Sequence, residues 1–437
     1  MPTPSLLIVP ARFKSGKLYS QLPTSGAGDF TVTRATNATR VNASGLIESV
    51  ASGIPRLDYF ASGGTVGCPA LLVEPAATNT LSGSVSLDTG WTITADTIVT
   101  SGIISPSGST NATLFQATNT ASRVRQTATL ASGSTYTFSC FGKFGALSSG
   151  FSLNVFDENA ASYGSGVCQA FNLNEGTLGA SGTTGAGFTL QSVGMENYGS
   201  GWYRCRMTVL MGYTPTTPRV GFRVGTQISN GRPLSVASGT VNAWGAQLET
   251  GSVATSYIPT TTATVTRNAD AIRVSGAVSG SIGQTVGTIY CEFAYFGRPS
   301  VQSGPIFLRE TSLRGLSIGT AGVTNINFTS RNNAGSTSLA IVTGSVQLNT
   351  YYKVAIAYDA NGTAAGGSEV SGVVAYVNGV QTNIGTFRVP DGVLSEFRMF
   401  GAPAASADTD PFNGRILAAA LYTTRLSNDE LAALTSL

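Results

Sequence analysis

The side chains able to do chemistry in this sequence are few. Its 437 residues hold 22 aspartates and glutamates, 25 lysines and arginines, five cysteines and no histidine. Without histidine there is no Ser-His-Asp triad, no Cys-His pair and no imidazole-bound metal. Carboxylate chemistry survives that filter. Glycoside cleavage needs two carboxyl groups about 5–9.5 Å apart, one of them able to hold a proton. Asp408 and Asp410, two apart, would share a face of an extended chain. The adjacent Asp157 and Glu158 would point to opposite faces.

The same oxygen-bearing residues could hold calcium, which takes six to eight hard oxygen ligands. Asp408, Asp410 and Asn413 form one loop cluster, and Asp359 with Asn361 forms a second. Shaping polar loops through Asx turns is the commoner use of such residues. No EF-hand spacing occurs, and calcium is the one cofactor considered; otherwise none is expected.

Aromatic faces and planar guanidinium groups are the other candidates. Trp91, Trp202 and Trp244 are the only tryptophans. Trp202 and Trp244 lie in strand-like runs and are expected in the core, while Trp91, beside Gly90, is open to a sugar-stacking role. Arg204 and Arg206 flank Cys205 and share one strand face. Ligand contact is one reading of that pair, and a solvated strand face is the commoner one. Arginines outnumber lysines 21 to 4, a bias suited to planar hydrogen bonding.

The composition narrows partners further. Only 11% of residues are charged and the net charge is +3, with no basic run of five, so a nucleic-acid partner is not expected. The cysteines (Cys68, Cys140, Cys168, Cys205, Cys291) are odd in number and lack CxxC spacing. They read as buried thiols of a chain made in a reducing cytoplasm. The first apolar run, Leu6–Val9, is shorter than a signal-peptide core of about 7 residues. No run approaches the ~18 residues of a membrane span, so neither the usual secretory route nor membrane insertion is expected.

The elements that must position these side chains are strands. Tyr136, Phe138 and Cys140 alternate with polar neighbours, as do Phe151, Leu153 and Val155. Ile289, Cys291, Phe293 and Tyr295 share one face of another strand, and Val354, Ile356 and Tyr358 share one face of a fourth. Serine and threonine, roughly a quarter of the chain, and 53 glycines punctuate these runs. The fold class is therefore all-β, with an N-terminal extended and hairpin segment followed by two β-sandwiches. Residues 1–83, poor in apolar residues, form the segment, which is expected to take its order from a neighbour. Residues 84–268 form the first sandwich and 269–437 the second. Asn378-Gly379 between apolar runs predicts a type I′ hairpin. Ile416 to Tyr422 predicts a strand, and Ser427-Asn428-Asp429-Glu430 a capping box opening a short C-terminal helix.

One series is more specific. Gly28-Asp29-Phe30, Arg34-Ala35-Thr36, Thr39-Arg40-Val41-Asn42, Pro55-Arg56-Leu57-Asp58-Tyr59, Cys68 to Pro75 and Thr78-Asn79 occur in order. This series resembles the N-terminal region of tailed-bacteriophage virion fibre proteins with head spike fibre domains. The resemblance implies that the segment attaches to the virion, with Arg34, Arg40, Arg56, Asp58, Tyr59 and Glu74 in the matching motifs. Gly201-Trp202-Tyr203-Arg204, Trp244 to Glu249 and Thr255 to Thr260 resemble jelly-roll, carbohydrate-binding-module-like domains. Tyr376 to Gly379 and Gly414 to Glu430 resemble concanavalin A-like lectin domains. The E-x-D-x-x-E spacing of lectin-fold glycanases is missing.

These resemblances imply a non-enzymatic fibre or spike, located in the virion and made in the host bacterial cytoplasm. Capsid or tail proteins and host-surface glycans are its implied partners, and a homotrimer its implied state. A purely structural capsid or tail decoration protein is the alternative, and a capsule depolymerase the third.

Overall fold

The computed structural model describes the chain apart from residues 61–65, 147–149, 160–161, 298–301, 311–313, 322–324, 333–334, 343–345, 361–371, 400–411 and 437. It is nearly all strand, with several antiparallel sheets and one short C-terminal helix, Asn428–Thr435. Two β-sandwiches account for the large sheets.

The middle sandwich packs two six-stranded sheets face to face. One contains Val124–Thr127, Pro218–Val224, Gly150–Asn159 and Ser162–Asn172. The other contains Ala112–Ala117, Thr240–Thr250, Thr135–Phe144 and Trp202–Met211. Alternation along these strands sends Phe138, Cys140, Phe151, Leu153, Val155, Val220 and Phe222 into one shared core. The expected alternation of Tyr136, Phe138 and Cys140 thus lies on the inner face.

The second sandwich is not confined to residues 269–437. Leu6–Ile8 runs antiparallel to the upper half of Gly414–Tyr422, with Leu6 opposite Leu421. Val66–Val73 pairs with the start of that same strand, Val73 opposite Gly414. Phe30–Thr33 pairs with Ala271–Ser275 in the facing sheet. Leu6, Ile8, Phe30, Val32, Leu71 and Val73 are buried together with Ile289, Phe293, Ile356 and Phe397. The domain boundary expected at residue 83 is therefore corrected. Most strands of residues 1–83 belong to the two sheets of the C-terminal sandwich, Ala38–Val41 and Ile47–Val50 pair with each other, and the middle sandwich is inserted after Ala77–Asn79. The reason the segment reads as separate is local: its strands are two to eight residues long and pair with partners up to four hundred residues away.

Two local signals take the predicted form. Asn378 (φ 50°) and Gly379 (φ 83°) both adopt positive φ between Val373–Val377 and Val380–Gly385. At the helix, the Glu430 amide donates to Ser427 Oγ at 3.3 Å, and the Ser427 amide donates to Glu430 Oε2 at 2.9 Å. Leu431 and Leu426 then bury the helix against Tyr290, Val374 and Tyr376 on the outer side of the sheet.

Removing residues 1–83 should unfold the C-terminal sandwich and spare the middle one. Limited proteolysis with calorimetry would show residues 84–262 protected, with their own transition, and residues 269–437 digested. A fragment lacking 1–83 that keeps both transitions would contradict this architecture.

Candidate functional site

The three parts of the chain meet at one junction, held by buried charge. Arg34 follows the strand Phe30–Thr33, Arg56 precedes Leu57–Phe60, and Glu74 follows Val66–Val73. Arg267 and Asp270 lie where the chain enters the C-terminal strands. Arg56 Nη1 sits 2.7 Å from Glu74 Oε2, and its Nη2 pairs with Asp270 Oδ2. Arg34 Nη1 is 2.9 Å from Asp270 Oδ1, and Arg267 Nη2 is 3.5 Å from Glu74 Oε2. Ser256, on the loop leaving the middle sandwich, donates its amide to Glu74 Oε1 (2.7 Å) and its hydroxyl to Glu74 Oε2 (2.6 Å). Arg34 also donates to the Thr36 and Ile54 carbonyls, at 2.9 and 3.2 Å.

Burial alone would raise the Glu74 carboxyl, but Arg267, Arg56 and the Ser256 hydrogen bonds outweigh it and hold it at about 2. Burial also pulls down the Arg34 and Arg267 guanidiniums, against the pull of the two carboxylates. Arg56 moves the other way: Asp270 and Glu74 overcome its burial and raise it.

Above this cluster lies a cleft of about 60 Å³, room for a few waters. Its wall carries Arg40, Asp58 and Phe60 from the N-terminal strands, Glu196, Tyr198, Arg204 and Arg206 from the middle sandwich, and Phe296, Asn349 and Arg415 from the C-terminal one. Arg415 Nε contacts Asp58 Oδ2 at 2.6 Å, and its guanidinium lies over Phe296 (4.4 Å) and Phe60 (5.0 Å). Arg206 Nε is 3.7 Å from Glu196 Oε1. The guanidinium of Arg206 crosses Gly194, where a Cβ would approach it to 2.5 Å. Half-buried aromatics beside guanidinium, carboxylate and amide groups can orient a small polar ligand group. The volume suits a substituent, not a whole buried ring.

The expected site residues fall in different places. Of the motif residues in the expected attachment segment, Arg34, Arg56, Asp58 and Glu74 are buried, so these four side chains are not open to a particle surface. They hold the segment to its own chain. Arg40 pairs with Glu48 at 2.7 Å, and Tyr59 packs partly buried against the C-terminal core. Arg204 is 3% exposed, which excludes a solvated strand face. It donates to the Thr255 carbonyl (2.7 Å) and Ser139 Oγ (3.1 Å). The outer face of its sheet is covered by Val41, Ile47 and Tyr257, which pack on Trp202 and Trp244. Arg206 is half-buried at the cleft.

Trp91 is buried, its Nε1 donating to the Gly83 carbonyl at 3.3 Å and its ring 6.3 Å from Phe222, so it offers no face to a sugar. Trp202 and Trp244 are buried, as their strand positions predicted. Asp408, Asp410 and Asn361 lie outside the described residues. Asn413 is buried, with Nδ2 3.5 Å from the Gly297 carbonyl and Oδ1 unpartnered. Asp359 ends the strand Tyr351–Asp359. Among the described residues no three His, Cys, Asp or Glu side chains gather to hold a metal. Cys140, Cys168, Cys205 and Cys291 are buried, and burial raises the Cys168 thiol to about 12; Cys68 is exposed, contrary to expectation.

The sequence reading missed Asp270, Arg267 and Arg415, which complete the buried pairs. Their partners lie up to 357 residues away. Arginine excess was the one signal pointing to Arg267 and Arg415, and none pointed to Asp270.

Comparison with known proteins is informative for the C-terminal sandwich. Residues 293–432 match the family described as the concanavalin A-like lectin/glucanases superfamily. No curated protein matches the chain. Among solved structures, the CBM40 of the Ruminococcus gnavus IT-sialidase is similar at 18% identity and a TM-score of 0.31, over 37% of this chain and 88% of that one. Domain 4 of AbnA, a GH43 extracellular arabinanase from Geobacillus stearothermophilus, in complex with arabinotriose, is similar at 17% and 0.29, over 38% and 73%. A structure of botulinum neurotoxin type C, whose cell entry depends on two ganglioside molecules, is similar at 14% and 0.29, over 38% and 40%. Likenesses this distant assign neither ligand nor activity.

Glu74→Gln should cost about 3–5 kcal/mol at neutral pH, because it leaves buried guanidiniums undercompensated. The folded carboxyl titrates below its ordinary value of 4.5, so its stabilisation is complete above that pH and is lost as the pH falls toward 2. The gap between wild type and variant in urea unfolding should therefore close over that range. Glu249 behaves oppositely: burial, the largest influence, raises it despite Arg204. Its burden is absent below the ordinary value and grows as the pH rises through the raised one, so Glu249→Gln should cost less than Glu74→Gln at neutral pH. Equal losses in the two variants at neutral pH, or a gap for Glu74→Gln that does not narrow as the pH falls from 5 toward 2, would refute this assignment.

Proposed function

We propose that the chain is a non-enzymatic fibre or spike protein of a tailed-phage virion that binds host-surface glycans. The observation that carries the glycan part is the match of residues 293–432 to the concanavalin A-like lectin/glucanase family. The N-terminal series Gly28-Asp29-Phe30 to Thr78-Asn79 supports the virion part by its resemblance to fibre proteins. A binding role without cleavage is favoured at the junctional cleft, where Asp58 and Glu196 each face an arginine across an ion pair. Virion docking, in this reading, uses exposed residues of the segment such as Arg12 and Lys14, since the motif charges Arg34, Arg56, Asp58 and Glu74 are turned inward. Homotrimeric assembly would multiply weak sites into avid binding, by ~10²–10⁴-fold.

The test is binding of the full chain to a panel of bacterial surface polysaccharides, with polysaccharide length followed by size-exclusion chromatography. Binding without shortening is expected, with light scattering giving three times the 44.8 kDa chain mass. Shortened polysaccharide would establish a depolymerase instead. Absence of binding to every polysaccharide would leave a structural decoration protein.

A further inference from the structure

Two ionic side chains on the wall of the junctional cleft stand apart from the other pairs around it. Glu196 lies on the strand Phe188–Asn197 and Arg206 on its neighbour Trp202–Met211. Glu196 is opposite Arg204, and Gly194 is opposite Arg206. Met195, Cys205 and Met207 turn into the sandwich core, so Glu196 and Arg206 both turn to the outer face, toward the cleft. Arg206 Nε stays 3.7 Å from Glu196 Oε1, too far for a hydrogen bond. Among the described residues neither side chain makes a hydrogen bond, and they keep 19% and 28% of their surface in solvent. The other pairs at the cleft are closed: Arg415 reaches Asp58 at 2.6 Å and Arg40 reaches Glu48 at 2.7 Å. Glu196 and Arg206 thus present an open acceptor and an open donor to the same small space.

The rest of the wall selects what can bridge them. Phe60, Phe296 and Val253 line the cleft and are half-buried, which gives it an apolar side. The Arg415 guanidinium lies over both rings and fixes that side. An anionic group would meet Asp58, Glu74 and Glu196, and a cationic one would meet Arg204, Arg206 and Arg415. A neutral group carrying one donor, one acceptor and an apolar end avoids both repulsions. A secondary amide is planar, with its N–H and C=O directed to opposite edges. One such group can donate to the Glu196 carboxylate and accept from Arg206, and hydrogen bonds to ionised partners are the stronger kind. Its methyl then rests against the aromatic side. A hydroxyl can make one of these bonds but leaves the apolar side unfilled. The volume of about 60 Å³ suits a group of a few heavy atoms.

The geometry points to this cleft as a subsite for the acetamido group of an N-acetylated amino sugar. It rests on the glycan-binding reading and names the ligand class.

The test is saturation-transfer NMR of the full chain with the methyl glycosides of N-acetylglucosamine, N-acetylgalactosamine and N-acetylmannosamine, each beside its parent hexoside and its free-amine form. At least one acetamido sugar should bind, with the acetyl methyl protons taking the strongest saturation. Its parent hexoside and its amine should bind at least tenfold more weakly. Glu196→Ala and Arg206→Gln should each weaken binding at least tenfold. The pair is loose and partly exposed, so the melting temperature of Arg206→Gln should stay within about 2 °C of wild type. A pair with a purely structural role would instead melt earlier in both variants and leave sugar binding unchanged. No binding of any acetamido sugar, equal binding of the parent hexoside, saturation centred on ring protons, or unchanged binding in either variant would overturn the inference. If a polysaccharide without acetamido groups binds in the panel above, the glycan-binding reading survives that failure; if none binds, both fall together.

Discussion

The buried network of Arg34, Arg56, Arg267, Glu74 and Asp270 is the constraint on which the rest of the structure depends. Each member comes from a different turn or strand end, and Ser256 of the middle sandwich closes the ring. Taking five charges out of water is costly and is offset only when the remaining donors and acceptors are well placed. Here the Glu74 amide accepts its place by donating to Asp270 Oδ2 at 3.0 Å, and the Asp270 amide donates to the Glu74 carbonyl at 3.0 Å. The network therefore demands one geometry. Short strands such as Leu6–Ile8 and Phe30–Thr33 cannot slide by one residue without turning Leu6, Ile8, Phe30 and Val32 out of the core. A slip would also leave guanidiniums buried without carboxylates, so charge and apolar burial select the same register.

From that follows the position of the middle sandwich. Its chain leaves the N-terminal strands after Asn79 and returns at Val265, where Ala77–Asn79 and Val265–Arg267 pair side by side. Both connections pass next to the network. One outer face of the sandwich is consequently pressed against Val41, Ile47 and Tyr257, which explains why Arg204 is buried. The junctional cleft is the space left where three surfaces converge. The opposite outer face, with Arg125 and Gly221, is turned away from this contact, since it belongs to the other sheet.

What was legible in the sequence was local. Period-2 alternation placed Phe138, Leu153 and Ile289 on inner faces, Asn378-Gly379 set a hairpin, and Ser427 with Glu430 set a helix start, because each signal acts within a few residues. The association of residues 1–83 with Gly414–Tyr422 was not legible, since strand pairing over four hundred residues leaves no periodicity to read. Trp91 shows the same limit: beside a glycine it looks like a surface ring, and only the packing of Phe222 places it in the core. The motif charges Arg34, Arg56 and Glu74 stood out in sequence, but whether a charged residue faces water or a buried partner is decided by elements brought together from afar.

Low charge content gives these clusters their weight. With 11% charged residues, a single sheet face holding Arg123, Arg125, Arg219 and Arg223 takes a large share of the chain's 25 cations. On an ordinary surface, neighbouring lysines and glutamates would blur such a patch within about a Debye length of 8–10 Å. Here the surroundings are mostly serine, threonine and glycine, and several carboxylates, among them Glu74, Asp270 and Asp58, are already neutralised in the interior. The field over Arg125 and Arg219 is thus set chiefly by Glu158, which pairs with both, and little by distant surface charge. Sequestering acids at the junction and gathering arginines around Glu158 on the other sheet are two consequences of one distribution of charge.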